Sequence, residues 1–193
     1  MYEYLNGKLV EKNPAYVILE NNGIGYMINI SLNTFTKIKA LDHAKLYVHF
    51  YVREDAHILY GFSDDVEREL FRYLLSVSGV GASTARLILS SLSTEEIYDA
   101  ITGGKAAVLQ SVKGIGGKTA QRIVIDLKDK LSKADLSLEK VDFAHNTLKD
   151  EALSGLLILG FSKAAATKAV DRILRDGSAN SVETLIKEAL KIL

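Results

Sequence analysis

A ten-residue motif occurs twice in the chain, and each copy places one apolar residue between two glycines. The first copy is Ser76–Ala85 (SVSGVGASTA), and the second, Ser111–Ala120 (SVKGIGGKTA), starts 35 residues later. Glycine adopts at little cost the backbone angles that a tight reversal between two helices requires. The middle residue, Val80 or Ile115, can turn inward and pin the reversal. The repeat therefore predicts two helical hairpins.

In such a hairpin the glycines leave backbone N–H groups uncovered where the second helix begins. These N–H groups and the positive end of the helix dipole together form a phosphate site. The pattern is typical of helix–hairpin–helix units, which hold the DNA backbone without reading its sequence. The candidate DNA-binding residues are Gly79, Val80, Gly81, Ser83, Thr84, Gly114, Ile115, Gly116, Lys118, Thr119 and Arg122.

The two copies differ in the side chains that could add to this contact. In the second copy Lys118 and Arg122 lie four residues apart, on one helix face near the N-terminus. The first copy has Ser83 and Thr84 instead of the basic pair, with Arg86 further along. A plain turn between helices is the alternative for either motif, but the Thr-Ala pair at the same offset in both copies favours the phosphate interpretation.

Two better-known glycine motifs do not fit. The dinucleotide fingerprint needs a third glycine where Thr84 and Thr119 stand, and no strand precedes either hairpin. Gly117-Lys118-Thr119 resembles the end of a P-loop, but that motif needs a glycine where Val112 stands. We therefore expect no nucleotide cofactor.

Composition excludes several classes of protein. The chain has 193 residues, 48% of them apolar, and no cysteine, so it has no disulfide and no thiolate metal site. We expect no metal, because the four histidines show no metal-ligand spacing. No apolar run is long enough for a membrane span, and the N-terminus lacks a signal peptide, so we expect a cytoplasmic protein. Lys plus Arg equal Asp plus Glu at 24 each, so DNA binding must depend on local geometry.

The first 63 residues predict a small β-barrel such as an OB-fold. Short runs rich in Tyr, Val and Ile alternate with turn signals, and a short helix is predicted at Leu32–Lys37. The predicted strands are Tyr2–Val10, Ala15–Glu20, Gly25–Ile30, Lys45–Val52 and His57–Phe62.

Residues 64–131 change to helical periodicity and contain both glycine motifs. Asp64 followed by Glu67, and Ser93 followed by Glu96, are typical helix starts. This segment is the expected tandem helix–hairpin–helix domain.

Residues 132–147 lack a clear period and predict a flexible linker, and residues 148–193 predict a three-helix bundle. The fold class is therefore an α+β multidomain protein. The predicted helix boundaries are Thr147 with Asp150, Gly160, Gly177, and Asn180 with Glu183.

Further motifs show a resemblance to a known family. Val52–Ala56 (VREDA), Leu59–Phe62 (LYGF), the paired hairpins, Leu159–Phe161 (LGF) and Glu183–Leu190 (ETLIKEAL) resemble the RuvA family across all three domains in order. The resemblance implies an OB-fold barrel, the tandem hairpins and a UBA-like C-terminal bundle. It also implies a homotetramer or octamer that binds an open four-way (Holliday) junction in recombination, DNA repair and the SOS response to DNA damage.

The same resemblance implies partners and site residues. The RuvB ring ATPase would supply the motor and bind the third domain. Leu156, Leu159 and Phe161, which we expect to be exposed, are the candidate contacts. The RuvC resolvase is a further expected partner. Glu54 and Asp55 correspond to the family's acidic pin, whose carboxylates repel phosphates near the tetramer centre. A solvated hairpin tip is the alternative for this pair.

Other functions are less favoured. A DNA glycosylase needs a catalytic Asp, often after a Gly/Pro-rich segment, but the only proline is Pro14 and Asp126 lies within a predicted helix. A metal nuclease using Glu54 and Asp55 would start from adjacent carboxylates, which point to opposite faces of a strand. A protein–protein scaffold would suit the neutral charge, and salt-dependent binding to branched DNA would distinguish it. We therefore expect a non-catalytic subunit.

Overall fold

The alternating apolar residues of the N-terminal segment form a closed five-stranded barrel. The computed structural model describes residues 2–133, 148–175 and 181–193. The strands of the barrel are β1 (Tyr4–Asn13), β2 (Tyr16–Asn21), β3 (Ile24–Ile30), β4 (His43–Val52) and β5 (His57–Phe62). Their order is β1-β2-β3-β5-β4, in which β3 and β5 are parallel and the other pairs are antiparallel. The predicted OB-like barrel is confirmed.

A short helix, α1 (Leu32–Ile38), follows the third strand as predicted. Ser31 caps it, because its Oγ accepts the backbone N–H of Thr34 at 2.9 Å. Ile38 closes the barrel core together with the inward residues of the strands. Those inward residues include Leu5, Leu9, Val17, Leu19, Ile28, Ile30, Leu46 and Val48.

Five helices follow the barrel and enclose a second core. The caps predicted at Asp64 and Ser93 are confirmed: Asp64 Oδ1 accepts from the Glu67 N–H at 2.8 Å, and Ser93 forms a complete capping box with Glu96. The helices are α2 (Asp65–Leu75), α3 (Ala82–Ser91), α4 (Thr94–Thr102), α5 (Ala106–Gln110) and α6 (Gly117–Lys133). The first glycine motif joins α2 to α3, and the second joins α5 to α6.

The barrel and these helices meet at a buried polar joint. The Glu67 carboxylate accepts hydrogen bonds from Ser31 Oγ and from Thr34 Oγ1, the latter at 2.7 Å, and Thr34 Oγ1 accepts the Ser63 N–H at 3.0 Å. Burial raises the pKa of Glu67 above its ordinary value. Residues 63 and 64, where we placed a domain boundary, thus lie inside one compact unit, residues 1–138.

A second unit, residues 139–193, contains the predicted bundle of three helices. They are α7 (Leu148–Ile158), α8 (Lys163–Arg175) and α9 (Val182–Leu190). Gly160, with a φ of +96°, ends α7 as predicted. The N–H groups of Phe161 and Gly160 bond to the carbonyls of Leu156 and Leu157 at 3.1 and 3.0 Å, which is a Schellman motif.

Some predicted boundaries differ or fall elsewhere. The last helix is capped by Ser181, whose Oγ accepts the Thr184 N–H at 3.2 Å, so the predicted opening by Asn180 with Glu183 was wrong by one residue. Residues 132 and 133 of the predicted linker belong to the end of α6. The rest of that linker (134–147), Thr147 and Gly177 lie outside the described residues.

We predict that Glu67→Gln becomes more stable relative to the wild type as pH rises. The folded-state pKa lies above the unfolded value of about 4.3. The contribution of Glu67 to the free energy of unfolding of the wild type is therefore complete below the unfolded pKa. It is lost as pH rises through the folded pKa. Urea unfolding of both proteins between about pH 4 and about pH 8 measures the difference. A relative stability of Glu67→Gln that falls with pH would contradict the expectation.

Candidate nucleic-acid interface

The first glycine motif reverses the chain sharply between α2 and α3. Gly79 has a φ of +88°, a left-handed conformation that favours glycine. The N–H of Val80 then bonds to the Val77 carbonyl at 3.0 Å, and the Val80 side chain is only 5% exposed. Gly81 is the N-cap of α3, with an extended φ of −89° and no side-chain cap. The hairpin is thus pinned inward by its apolar residue.

The second motif repeats this geometry between α5 and α6. Gly114 has a φ of +91°, the Ile115 N–H bonds to Val112 O at 3.0 Å, and Ile115 is also 5% exposed. The expectation that the middle residues turn inward is therefore confirmed. As a consequence, Val80 and Ile115 can offer mainly backbone groups to a ligand.

Both helices start with backbone N–H groups that precede the first helical hydrogen bond. In α3 that bond runs from Ala85 N to Gly81 O, and in α6 from Ala120 N to Gly116 O, each at 2.9 Å. The N–H groups of residues 82–84 and 117–119 come before it and point out of the helix end. A Cβ added at Gly79, Gly81, Gly114 or Gly116 would meet no atom within 4 Å, so the outer surface of both hairpins is open at these four positions.

A cleft of about 320 Å³ lies between the two motifs. Ser78 and Gly79 line it from the first hairpin, and Lys118, Thr119 and Arg122 line it from the second. The structure therefore brings the predicted basic pair next to the first hairpin.

Three polar side chains near the hairpins lie apart from this lining. Ser83, which is exposed, and the half-buried Thr84 sit at the N-terminus of α3. Lys113, exposed beside Gly114, was missed in the sequence analysis. Its signal is a lysine directly before Gly114 in the second copy of the motif, where the first copy has Ser78.

Arg86 does not face the hairpin surface with the other candidates. Its Nη1 donates to the Ala15 carbonyl at 3.0 Å and to Asn29 Oδ1 at 3.1 Å, and both acceptors belong to the barrel. The sequence placed Arg86 among the side chains that could add to the first hairpin's contact. The structure instead gives it two barrel partners.

The acidic pair lies in the four-residue connection between β4 and β5. Glu54 and Asp55 are both exposed. The Arg53 N–H bonds to the Ala56 carbonyl at 2.8 Å and closes this connection. The carboxylates thus project from a hairpin tip into solvent rather than from opposite faces of a strand.

The candidate partner residues of the second unit differ in exposure. Leu159 is 58% exposed, and Phe161 is half-buried against the bundle core. Leu156 is 0% exposed, so the expectation that it is exposed was wrong. It lies one helical turn after the buried Ala152 and faces the core, while Ile158 is 86% exposed.

Among residues 2–133, 148–175 and 181–193, no group of three or more His, Cys, Asp or Glu side chains could hold a metal ion. Within the same ranges, no helix is both long enough and apolar enough to cross a membrane.

A barrel joined to paired hairpins and followed by a small helical bundle defines a class of multidomain helix–hairpin–helix proteins. Comparison with known proteins agrees: family models match as "RuvA N terminal domain" over residues 1–61, "SAM-like Helix-hairpin-helix tandem" over 71–129 and "RuvA, C-terminal domain" over 147–193.

Similar curated proteins include those of Christiangramia forsetii (52% identical), Flavobacterium psychrophilum (47%) and Cytophaga hutchinsonii (44%). Each alignment covers 100% of both chains, and each of these proteins is named Holliday junction branch migration complex subunit RuvA. The chain belongs to the RuvA family.

We predict opposite stability effects for serine at the two glycines of the first hairpin. Gly79→Ser should lower the free energy of unfolding by about 1–2 kcal/mol, because a side chain is strained at a positive φ. Gly81→Ser should be neutral or stabilising by a few tenths of a kcal/mol, since serine is a favourable N-cap. Urea unfolding measures both. Equal losses in the two variants would contradict the backbone assignment.

Proposed function

We propose that this protein is a non-catalytic subunit that binds four-way junction DNA, selects it by structure and holds it open as a homotetramer. In this proposal it recruits the RuvB ring ATPase for branch migration in recombination and repair, and RuvC is a further partner on the same junction. The names of its relatives as subunits of a Holliday junction branch migration complex support this interpretation.

The observation that carries the proposal is the matched pair of open helix N-termini. Each motif has a left-handed first glycine and a buried middle residue. The helix that follows has no side-chain cap in α3 and begins with a glycine in α6, so each can present N–H groups to a phosphate. Contacts of this kind do not depend on base sequence. Lys118 and Arg122 add charge at the cleft between the hairpins. This arrangement accounts for DNA binding by a chain with no net charge.

The exposed position of Glu54 and Asp55 suits the role of an acidic pin. Carboxylates at the tip of the β4–β5 hairpin would meet the crossover phosphates if four copies surround the junction. Like charges repel, so they would keep the junction open and disfavour linear duplex at the centre.

For the motor, we propose a contact surface on the second unit that includes Leu159 and Phe161. The exposed Leu157 and Ile158 extend the apolar surface beside them. Leu156 would act indirectly, as a core residue that fixes the end of α7.

The test of this function is a comparison of four-way junction with linear duplex of the same sequence, by fluorescence anisotropy over a range of salt. We predict tighter binding to the junction and an affinity that falls as salt rises, because phosphate contacts release counterions. Equal affinity for the two DNAs would overturn the proposal. Affinity that does not change with salt would favour a protein scaffold instead.

We predict that Glu54→Gln with Asp55→Asn tightens DNA binding. Removing the charges removes repulsion from phosphates, and the gain should be larger at low salt, where screening is weak. Selectivity for the junction over duplex should decrease at the same time. The control is Glu11→Gln with Asp42→Asn, which neutralises two other exposed carboxylates of the same unit. Weaker junction binding by the folded Glu54/Asp55 variant would defeat the repulsive role.

A further inference from the structure

Helix α3 begins at the first hairpin, and the middle of this helix is hydrogen-bonded to the barrel. Arg86 Nη1 bridges the Ala15 carbonyl, in the turn between β1 and β2, and the Asn29 side chain on β3, at 3.0 and 3.1 Å. Asn29 in turn donates through Nδ2 to the Leu59 carbonyl on β5 at 3.4 Å. One guanidinium thus ties the helix to a turn and a strand of the barrel.

The C-terminal end of the same helix is hydrogen-bonded to α1, beside the barrel. Asn33 Nδ2, on α1, donates to the carbonyls of Leu89 and Leu92 at 2.7 and 2.8 Å. The last carbonyls of a helix lack intrahelical partners, so this amide also caps α3. The Leu32 N–H donates to Ser90 Oγ at 3.1 Å beside it. The middle and end of α3 are therefore held on the barrel, while its N-terminus is open.

The second hairpin packs against other helices and carries other side chains than the first. Its helix α6 packs on α4 and α5, and it carries Lys118 and Arg122 near its N-terminus. Long cationic side chains attract a phosphate over several ångströms and can adjust to its position. The first hairpin has Ser83 and Thr84 there and depends more on backbone N–H groups, whose hydrogen bonds weaken steeply with distance and angle. Accurate placement therefore matters more for the first hairpin.

We propose that Arg86 is a positioning residue: it fixes the helix of the phosphate-binding first hairpin on the barrel and does not contact DNA itself. The inference rests on the proposed function and deepens it. It also explains why the only arginine of α3 bonds to uncharged barrel groups rather than pointing to solvent at the hairpin.

The test compares Arg86→Met with Arg122→Met in the full-length protein, using the affinity for a four-way junction and its slope against salt. Arg86→Met should weaken junction binding roughly tenfold with an unchanged slope, because the phosphate hydrogen bonds that it disturbs come from uncharged N–H groups. Arg122→Met should flatten the slope, because a charged phosphate contact is removed. Arg172→Met, at an exposed arginine of the second unit, is the matched control and should bind like the wild type. Unchanged affinity or a flattened slope for Arg86→Met would overturn the inference.

A second variant removes the Arg86 hydrogen bond from the barrel side of the contact. Asn29→Ala removes one acceptor of Arg86 without altering α3, so it should weaken junction binding in the same way. The double variant should bind only slightly more weakly than the weaker-binding single variant, because both changes break one contact. Fully additive effects would contradict the shared contact.

A measurement without DNA separates this inference from the proposed function. Amide hydrogen exchange in α3 should be faster in Arg86→Met than in the wild type. A wild-type protein with no preference for junctions would overturn the proposed function, whereas unchanged exchange in α3 would overturn the positioning role of Arg86.

Discussion

The left-handed backbone at the first glycine of each motif is the constraint on which the rest of the interface depends. At Gly79 and Gly114 the positive φ turns the chain back, so that the next residue, Val80 or Ile115, is buried in the helical core. The glycines before the following helix, Gly81 and Gly116, then lie at an open surface, where an added Cβ would meet no atom within 4 Å. The open N–H groups, the cleft between the motifs and the position of Lys118 all follow from this reversal.

Much of this architecture could be predicted because it depends on local sequence. Alternating apolar residues predict the barrel strands to within a few residues, and Asp64 and Ser93 mark helix starts through hydrogen bonds to their own neighbours. The burial of Leu156 could not be predicted in this way. It opens a run of four apolar residues, and such a run does not indicate which member faces the core.

Interactions between distant charged and polar residues could not be predicted either. Glu67 and Arg68 would be expected to face solvent, but Glu67 is buried with Ser31 and Thr34, and Arg68 is buried with Glu3 and Asp65 as ion-pair partners. Local sequence patterns do not show that Glu3, just before β1, lies beside the start of α2. Because charges such as that of Arg68 pair within the fold, the net charge of zero says little about the charge at the cleft between the two hairpins.

We propose that backbone N–H groups at the two helix N-termini hold DNA phosphates. This proposal is tested most directly by the junction affinity of Gly81→Ser with Gly116→Ser, because a serine N-cap would accept N–H groups that the phosphate otherwise binds. We predict affinity reduced roughly tenfold, with stability unchanged or higher and the same slope against salt. Junction affinity equal to that of the wild type, in a variant at least as stable as the wild type, would contradict the account.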